Sequence, residues 1–322
     1  MIMNHKIPST IKRLSRVRMV GPVVDRTYRY AWRSRFMRNW RKVNSEPTEL
    51  YEKNKPTLTP VQARVIADLK NCGIAFALID ELVSAEDRAL WIELDKDIKE
   101  WLQRPDVANP DRSNKGWKDY IIRYYGAGLE IKEASSLLRL GLSGSILNVA
   151  NAYLGMWSKL NYIDAWNTVP EPAEKKGPAA SQRWHRDPED MRLCKIFLYH
   201  SNVDDGAGPL HYLPNCRPGE QYGNLWPQEL PSGAVVADTE FETKAPRSVW
   251  KICRGAPGTI VFADTVGFHM GGRATLSNRV FSHWTFTTPG SHWPRASIFS
   301  SEVQKSFTSP AAKFAMTSGR LH

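Results

Sequence analysis

From about Leu160 onward the chain is written in short β-rich runs punctuated by Gly and Pro: "LNYIDAWNTV", "RLCKIFLYH", "GTIVFADTVGFH" and "RVFSHWTFTT". Strand-length runs with turn residues between them restrict a chain to a barrel or a double-sheet jelly roll. The expected fold class is therefore mainly β with flanking helices, its strands closing into a barrel or a double-sheet jelly roll. Residues 214–250 interrupt the strands with a long Pro/Gly-rich insertion that reads as a lid.

Helices are expected before the β-rich half. Thr59-Pro60 supplies an N-cap and a first-turn proline, and Gly73 stops that helix. "IAFALI" (74–79) reads as a strand. Ser84 with Asp87 opens a second helix to about Gln103. "DYIIRYYG" (119–126) reads as a strand and 133–153 as helical. The core domain spans 59–300, and the tail, 301–322, reads as polar and loosely held.

Charge divides the chain unevenly. Residues 1–45 hold twelve of the 44 Lys/Arg and one of the 33 acids (Asp25), leaving 32 of each sign beyond them. A neutral body thus carries a basic arm. Within the arm Trp32, Phe36, Trp40 and Val43 fall at helical spacing, with arginines around them. Such a helix suits an anionic membrane surface or a partner protein, and it suits equally a stripe folded back on the chain's own body. A transit peptide and nucleic-acid binding are further readings of its arginines and aromatics. Residues 46–58 read as a linker. No run is long enough to span a bilayer and no secretory signal is visible. Four scattered cysteines (Cys72, Cys194, Cys216, Cys253) point to free thiols in a reducing cytosol, hence a cytoplasmic protein.

The chemistry gathers in two stretches. In "SQRWHRDPEDMRLCKIFLYH" His185 and Asp187 stand two residues apart, and alternate residues of a strand share a face. In "FADTVGFHMGGRATLSNRVFSHWTF" His269 precedes a Gly-Gly turn and Arg279 lies ten residues on. Two histidines and one carboxylate make the facial triad of non-haem Fe(II), although catalytic zinc can use the same ligands. A strand arginine inside a barrel needs an anion, and its planar fork suits a carboxylate. Iron with a metal-chelating dicarboxylate uses all four residues, whereas a zinc hydrolase leaves Arg279 idle. Lys195 shares a face with Leu193, Phe197 and Tyr199. It either meets an anion inside the barrel or snorkels outward from an edge strand.

"WHRDPED", "KIFLYHSNVDDGAGPLHYLPNCRPG" and "GAPGTIVFADTVGFHMGG" with Arg279 resemble the phytanoyl-CoA dioxygenase-like family of Fe(II)/2-oxoglutarate oxygenases, over roughly residues 55–290. The resemblance implies a double-stranded β-helix (jelly-roll, cupin-like) core, with His185, Asp187 and His269 as iron ligands and Arg279 as partner of the distal 2-oxoglutarate carboxylate. Lys195, from its strand face alone, is a further candidate for binding 2-oxoglutarate or a substrate carboxylate or phosphate. The resemblance extends to the reaction. It implies O2 as co-substrate, succinate and CO2 as products, and a small-molecule or lipid- or sugar-derived substrate that is hydroxylated. Asp187 sets the chain apart from halogenases, which carry a small residue there. Thr285 stands where nucleic-acid demethylases carry a second arginine, so nucleic acid is not the expected partner. Asn215-Cys216-Arg217 departs from the family's usual Gly-Ser-His at the substrate entrance. The reading from another class is a non-catalytic jelly-roll binding protein attached to membrane surfaces by the basic arm.

Overall fold

The computed structural model describes residues 21–110, 120–126, 130–171, 180–226, 234–293 and 297–317. Two antiparallel sheets face one another. The larger takes strands β1 (Ile74–Leu78), β2 (Ile121–Arg123), β4 (Lys159–Thr168), β6 (Leu193–Tyr199), β10 (Thr259–Ala263) and β12 (Arg279–Thr287), in the order β1-β10-β6-β12-β4-β2. The smaller takes β5 (Trp184–Arg186), β7 (Leu210–Tyr212), β8 (Ala234–Val236), β9 (Lys251–Cys253) and β11 (His269–Gly271), in the order β8-β5-β11-β7-β9. β3 (Glu130–Ile131) pairs in parallel with β13 (Ile298–Phe299) outside them. This is the jelly-roll core expected of the β-rich half, and each quoted run supplies a strand of it.

Strand alternation divides the larger sheet between two environments. Ile163, Ala165, Cys194, Ile196, Leu198, Phe262, Trp284 and Phe286 point outward and are buried against the helices. Tyr199, Val261, Ala263 and Phe281 point inward, where they meet Leu210, Tyr212 and Cys253 of the smaller sheet. A strand buried on both faces reads as a near-continuous apolar run, as β10 does.

The covering helices start where the sequence places them. Thr59 caps Pro60–Cys72 in a capping box with Gln62, and Gly73 ends it at φ +81°, the left-handed region that favours glycine. The Ser84 side chain accepts from Asp87 N at the start of Ala85–Gln103. The expected helix over 133–153 is two, Ser136–Gly141 and Gly144–Leu154, broken where Gly141 lies against the Trp284 indole with no room for a Cβ.

Three expectations outside the core need correction. Residues 46–53 are not linker: a 33-residue helix runs from Gly21 to Lys53, through Pro47. Phe36, Asn44, Pro47 and Tyr51 recur on one face and are buried, so tertiary burial outweighs the proline's local cost. Trp40 Nε1 donates to Asp190 Oδ1 at 2.7 Å, Asn44 Oδ1 accepts from Gly290 N at 2.8 Å, and Phe36 meets His292 edge-on. The described part of the aromatic stripe therefore faces the body rather than a membrane. Residues 1–20 and the Trp32 side chain lie outside the described residues. The tail is not loose either. Helices Ser301–Ser306 and Pro310–Met316 bury Val303, Ala312, Phe314, Ala315 and Met316, and Lys159 Nζ donates to Phe314 O and Thr317 Oγ1. Finally, the described part of the 214–250 insertion is not a lid. Phe241, Trp226 and Trp250 surround Trp184 on the outer face of the smaller sheet, away from the cavity. Among the described residues no helix is long and apolar enough to cross a membrane.

Asp190 ties the N-terminal helix to the core. Its fully buried carboxylate accepts from Trp40 Nε1, Met191 N, Thr288 N and Thr288 Oγ1. Asp190→Ala orphans buried donors at about 1–3 kcal/mol apiece, and total destabilisation should be about 3 kcal/mol or more in denaturant titration. Trp40→Phe, which removes only the indole N–H and some packing, should cost about 1 kcal/mol.

Candidate metal centre and cavity

β5 and β11 are neighbours in the smaller sheet, with His185 and His269 directly opposite in register. Their rings lie 4.2 Å apart. Asp187 follows β5 on the same face as His185, held by its backbone N–H to Thr265 O at 2.9 Å. Donor atoms of His185, Asp187 and His269 all fall within 4.8 Å of one another. The alternate residues Trp184 and Arg186 point the other way. Arg186 donates to Val266 O and Trp226 O and lies over Phe268, clamping the strand from behind.

Each histidine is held in one orientation. His185 Nδ1 lies 2.8 Å from Arg183 O, and His269 Nδ1 lies 3.0 Å from Gly267 O. A carbonyl only accepts, so the proton belongs on Nδ1 and the lone pair on Nε2. Both Nε2 atoms turn to Asp187, at 3.7 Å from Oδ1 for His185 and 3.5 Å from Oδ2 for His269. Backbone bonds of this kind orient metal-binding histidines generally. Gly267 has no alternative residue: a Cβ there would run into the Tyr212 hydroxyl and Cys216 Sγ.

Electrostatics keep the donors ready. Burial pushes His269 down to about 3, so it is neutral at neutral pH. Burial alone would raise Asp187, but the Lys195 ammonium in contact with it outweighs this and holds the carboxyl well below its ordinary value. Lys195 Nζ lies 2.5 Å from Asp187 Oδ2 and 3.5 Å from Glu189 Oε1. Burial works against that ammonium, yet the two carboxylates keep it above the usual lysine range. Lys195 therefore looks into the barrel from a central strand, not outward from an edge. Two imidazole nitrogens and a carboxylate oxygen on one side of a cavity fit a divalent first-row metal.

The cavity between the sheets has a volume of about 440 Å³ and is bordered by His185, Asp187, His269, Lys195, Glu189 and Arg279. Aromatic side chains, among them Tyr162, Trp166, Phe197, Phe281 and His283, form the remaining wall. Arg279, only 8% exposed, donates through Nη1 to Gly208 O, while its Nε has no hydrogen-bond partner among the described residues. No carboxylate pairs with it among the described residues. Burial lowers the guanidinium's pKa, but not enough to discharge an arginine. A buried cation with an idle donor calls for an anion from outside.

Residues 215–217, at the expected substrate entrance, stay out of the cavity, as do His200 and His211. The Asn215-Cys216-Arg217 departure is structural. Asn215 sits at φ +55°, the buried Cys216 Sγ accepts from Phe268 N, and Arg217 donates to Leu69 O and Lys70 O at the end of the Pro60–Cys72 helix. His211 packs beside Trp184 and Trp250 on the outer face, and His200 hydrogen-bonds Ser282 through Nε2. Sequence reading missed Glu189 and Arg123. Glu189, two residues beyond Asp187, was accessible to the same alternation; Arg123 carried no signal, since only its pairing with β4 brings it in.

No family model and no curated protein matches the chain. Among solved structures, the epimerase SnoN in complex with Fe3+, α-ketoglutarate and nogalamycin RO is 15% identical, covering 71% of this chain and 84% of its own, with a TM-score of 0.48. EctD from S. alaskensis with 2-oxoglutarate and 5-hydroxyectoine is 18% identical over 72% and 79%, TM-score 0.44. HygX from Streptomyces hygroscopicus with nickel and 2-oxoglutarate is 12% identical over 72% and 88%, TM-score 0.46. These are distant likenesses, and the roles of the cavity residues rest on this chain's own geometry.

Replacing Lys195 by Met leaves Asp187 and Glu189 buried without their cation, which costs about 3–5 kcal/mol. The sign with pH follows from Asp187. Its pKa is depressed in the folded wild type, so it stabilises above the unfolded carboxyl value and loses that contribution as pH falls. The variant forfeits this contribution, and its deficit should be larger at pH 7 than at pH 4 in paired thermal melts.

Proposed function

We propose that the chain is an Fe(II)/2-oxoglutarate-dependent dioxygenase that hydroxylates a small organic molecule, releasing succinate and CO2. Within that superfamily the reading is phytanoyl-CoA dioxygenase-like. The observation that carries it is the pairing, in one cavity, of a convergent His185–Asp187–His269 donor set with the buried guanidinium of Arg279, which has no counterion among the described residues. A metal site alone is compatible with several chemistries. The added carboxylate receptor favours a dicarboxylate that bridges metal and arginine.

In this reading His185 Nε2, His269 Nε2 and an Asp187 oxygen would hold Fe(II) on one side of the cavity. The bound metal with its co-substrate supplies the oxidising power. The chain's own residues do the rest. Arg183 O and Gly267 O fix the imidazole tautomers, so that no rotation is needed to present Nε2. Lys195 steadies Asp187 as a carboxylate. Arg279 receives the distal carboxylate through the edge that faces the cavity. The aromatic wall surrounds these groups with apolar surface of low dielectric, which strengthens each of these contacts. Four free thiols suit a reducing compartment and support a cytosolic setting.

Anaerobic titration of the protein with Fe(II) and 2-oxoglutarate should develop a visible metal-to-ligand charge-transfer band. His185→Ala and His269→Ala should abolish it, and Asp187→Ala should weaken it. Arg279→Ala should keep metal binding but weaken 2-oxoglutarate by about 100-fold, the worth of a charge-assisted bidentate contact. A folded wild type with no band would leave a binding protein on a jelly-roll fold.

A further inference from the structure

One cation of the cavity is used by none of this. Arg123, the last residue of edge strand β2, borders the same cavity. Its side chain makes no ion pair or hydrogen bond among the described residues, while its backbone pairs with β4. Its guanidinium instead lies over the Trp166 ring, 5.3 Å from the centroid. That ring is itself fixed: Trp166 Nε1 donates to Asp164 Oδ2 at 3.1 Å, and His283 packs edge-on at 4.6 Å. Asp164 is fully buried and also accepts from Tyr162 OH at 2.7 Å and Tyr125 N at 2.8 Å. A guanidinium parked on a rigid indole has already given up much rotamer freedom and part of its hydration, while its N–H edges stay available.

The charge balance points the same way. Among the described residues three cations, Arg123, Lys195 and Arg279, and two carboxylates, Asp187 and Glu189, line the cavity. Lys195 is taken by the two carboxylates, and Arg279 by the co-substrate. Fe(II) and 2-oxoglutarate carry equal and opposite formal charge, so their arrival leaves one uncompensated positive group, Arg123.

Resting on the oxygenase reading above, we infer that the substrate is an organic anion with a flat or apolar body. Arg123 holds its carboxylate or phosphate, and Trp166, Tyr162, Phe281 and His283 receive the body. Arg123 is thus a specificity-determining residue that reads charge at one end of the substrate.

The test uses three probes that share one ring system: 1-naphthoate, 1-naphthyl phosphate and the neutral 1-naphthalenemethanol. Each is titrated by fluorescence against full-length protein holding metal and saturating 2-oxoglutarate, so that Arg279 is occupied. At least one anion should bind about ten-fold or more tighter than the alcohol, the worth of one charged hydrogen-bonded contact. Arg123→Ala should remove that preference while alcohol binding stays, and Arg123→Lys should restore part of it. Whether carboxylate or phosphate leads names the substrate's anion. An anion preference that is missing in wild type, or that persists in Arg123→Ala, overturns the inference; so does equal or undetectable binding of all three. The charge-transfer band is read in the same samples and separates the two claims. A band without anion preference sinks only this inference, whereas Arg123-dependent anion binding without a band sinks the oxygenase reading and leaves the anion site.

Discussion

The buried carboxylate of Asp187 sets the terms for everything around it. In the low dielectric between two sheets an unpaired carboxylate would protonate or unfold the site. Here the Lys195 ammonium meets it and keeps it charged, while two imidazole Nε2 atoms stand beside it. Those partners impose requirements of their own. The imidazoles must point Nε2 inward, which demands backbone acceptors behind them and a glycine at 267. The ammonium must reach in from a central strand, and it needs Glu189 as a second anion. The two sheets can therefore approach only at the spacing these contacts allow.

β5 shows how three residues serve two environments. His185 faces the cavity, while Trp184 stacks on Phe241 and Arg186 holds three backbone carbonyls behind the sheet. The insertion that follows β7 spends its aromatic residues on this outer support. That explains why a Pro/Gly-rich segment of lid-like length covers no opening among the described residues: its tryptophans complete a core that a short edge sheet could not close alone.

Legibility in the sequence followed the range of the interactions. Strand alternation and capping are local, so the jelly-roll strands, the helix starts at Thr59 and Ser84, and the convergence of His185 with Asp187 could all be read directly. The link from that pair to His269 and Arg279 rested on complementary chemistry and on a family resemblance, because nothing local relates two stretches so far apart. What failed was long-range. Pro47 and the polar residues near it look like a linker until Asn44 and Tyr51 are seen to be buried. The tail looks polar until Phe314 and Met316 find the β4 side of the core. Lys195 stayed ambiguous because its strand's position, edge or centre, is a property of the sheet and not of the strand.

The bond between Trp40 and Asp190 has a meaning beyond its energy. Asp190 stands three residues after Asp187, so the long helix at the start of the chain grips the segment that delivers the carboxylate. The jelly roll is thus not a self-contained module that happens to carry an extension. Its inheritable unit, the piece that could be moved between proteins with its chemistry intact, includes the helix that ends at Lys53. A boundary drawn at Thr59 would leave the turn that carries Asp187 without its outer brace.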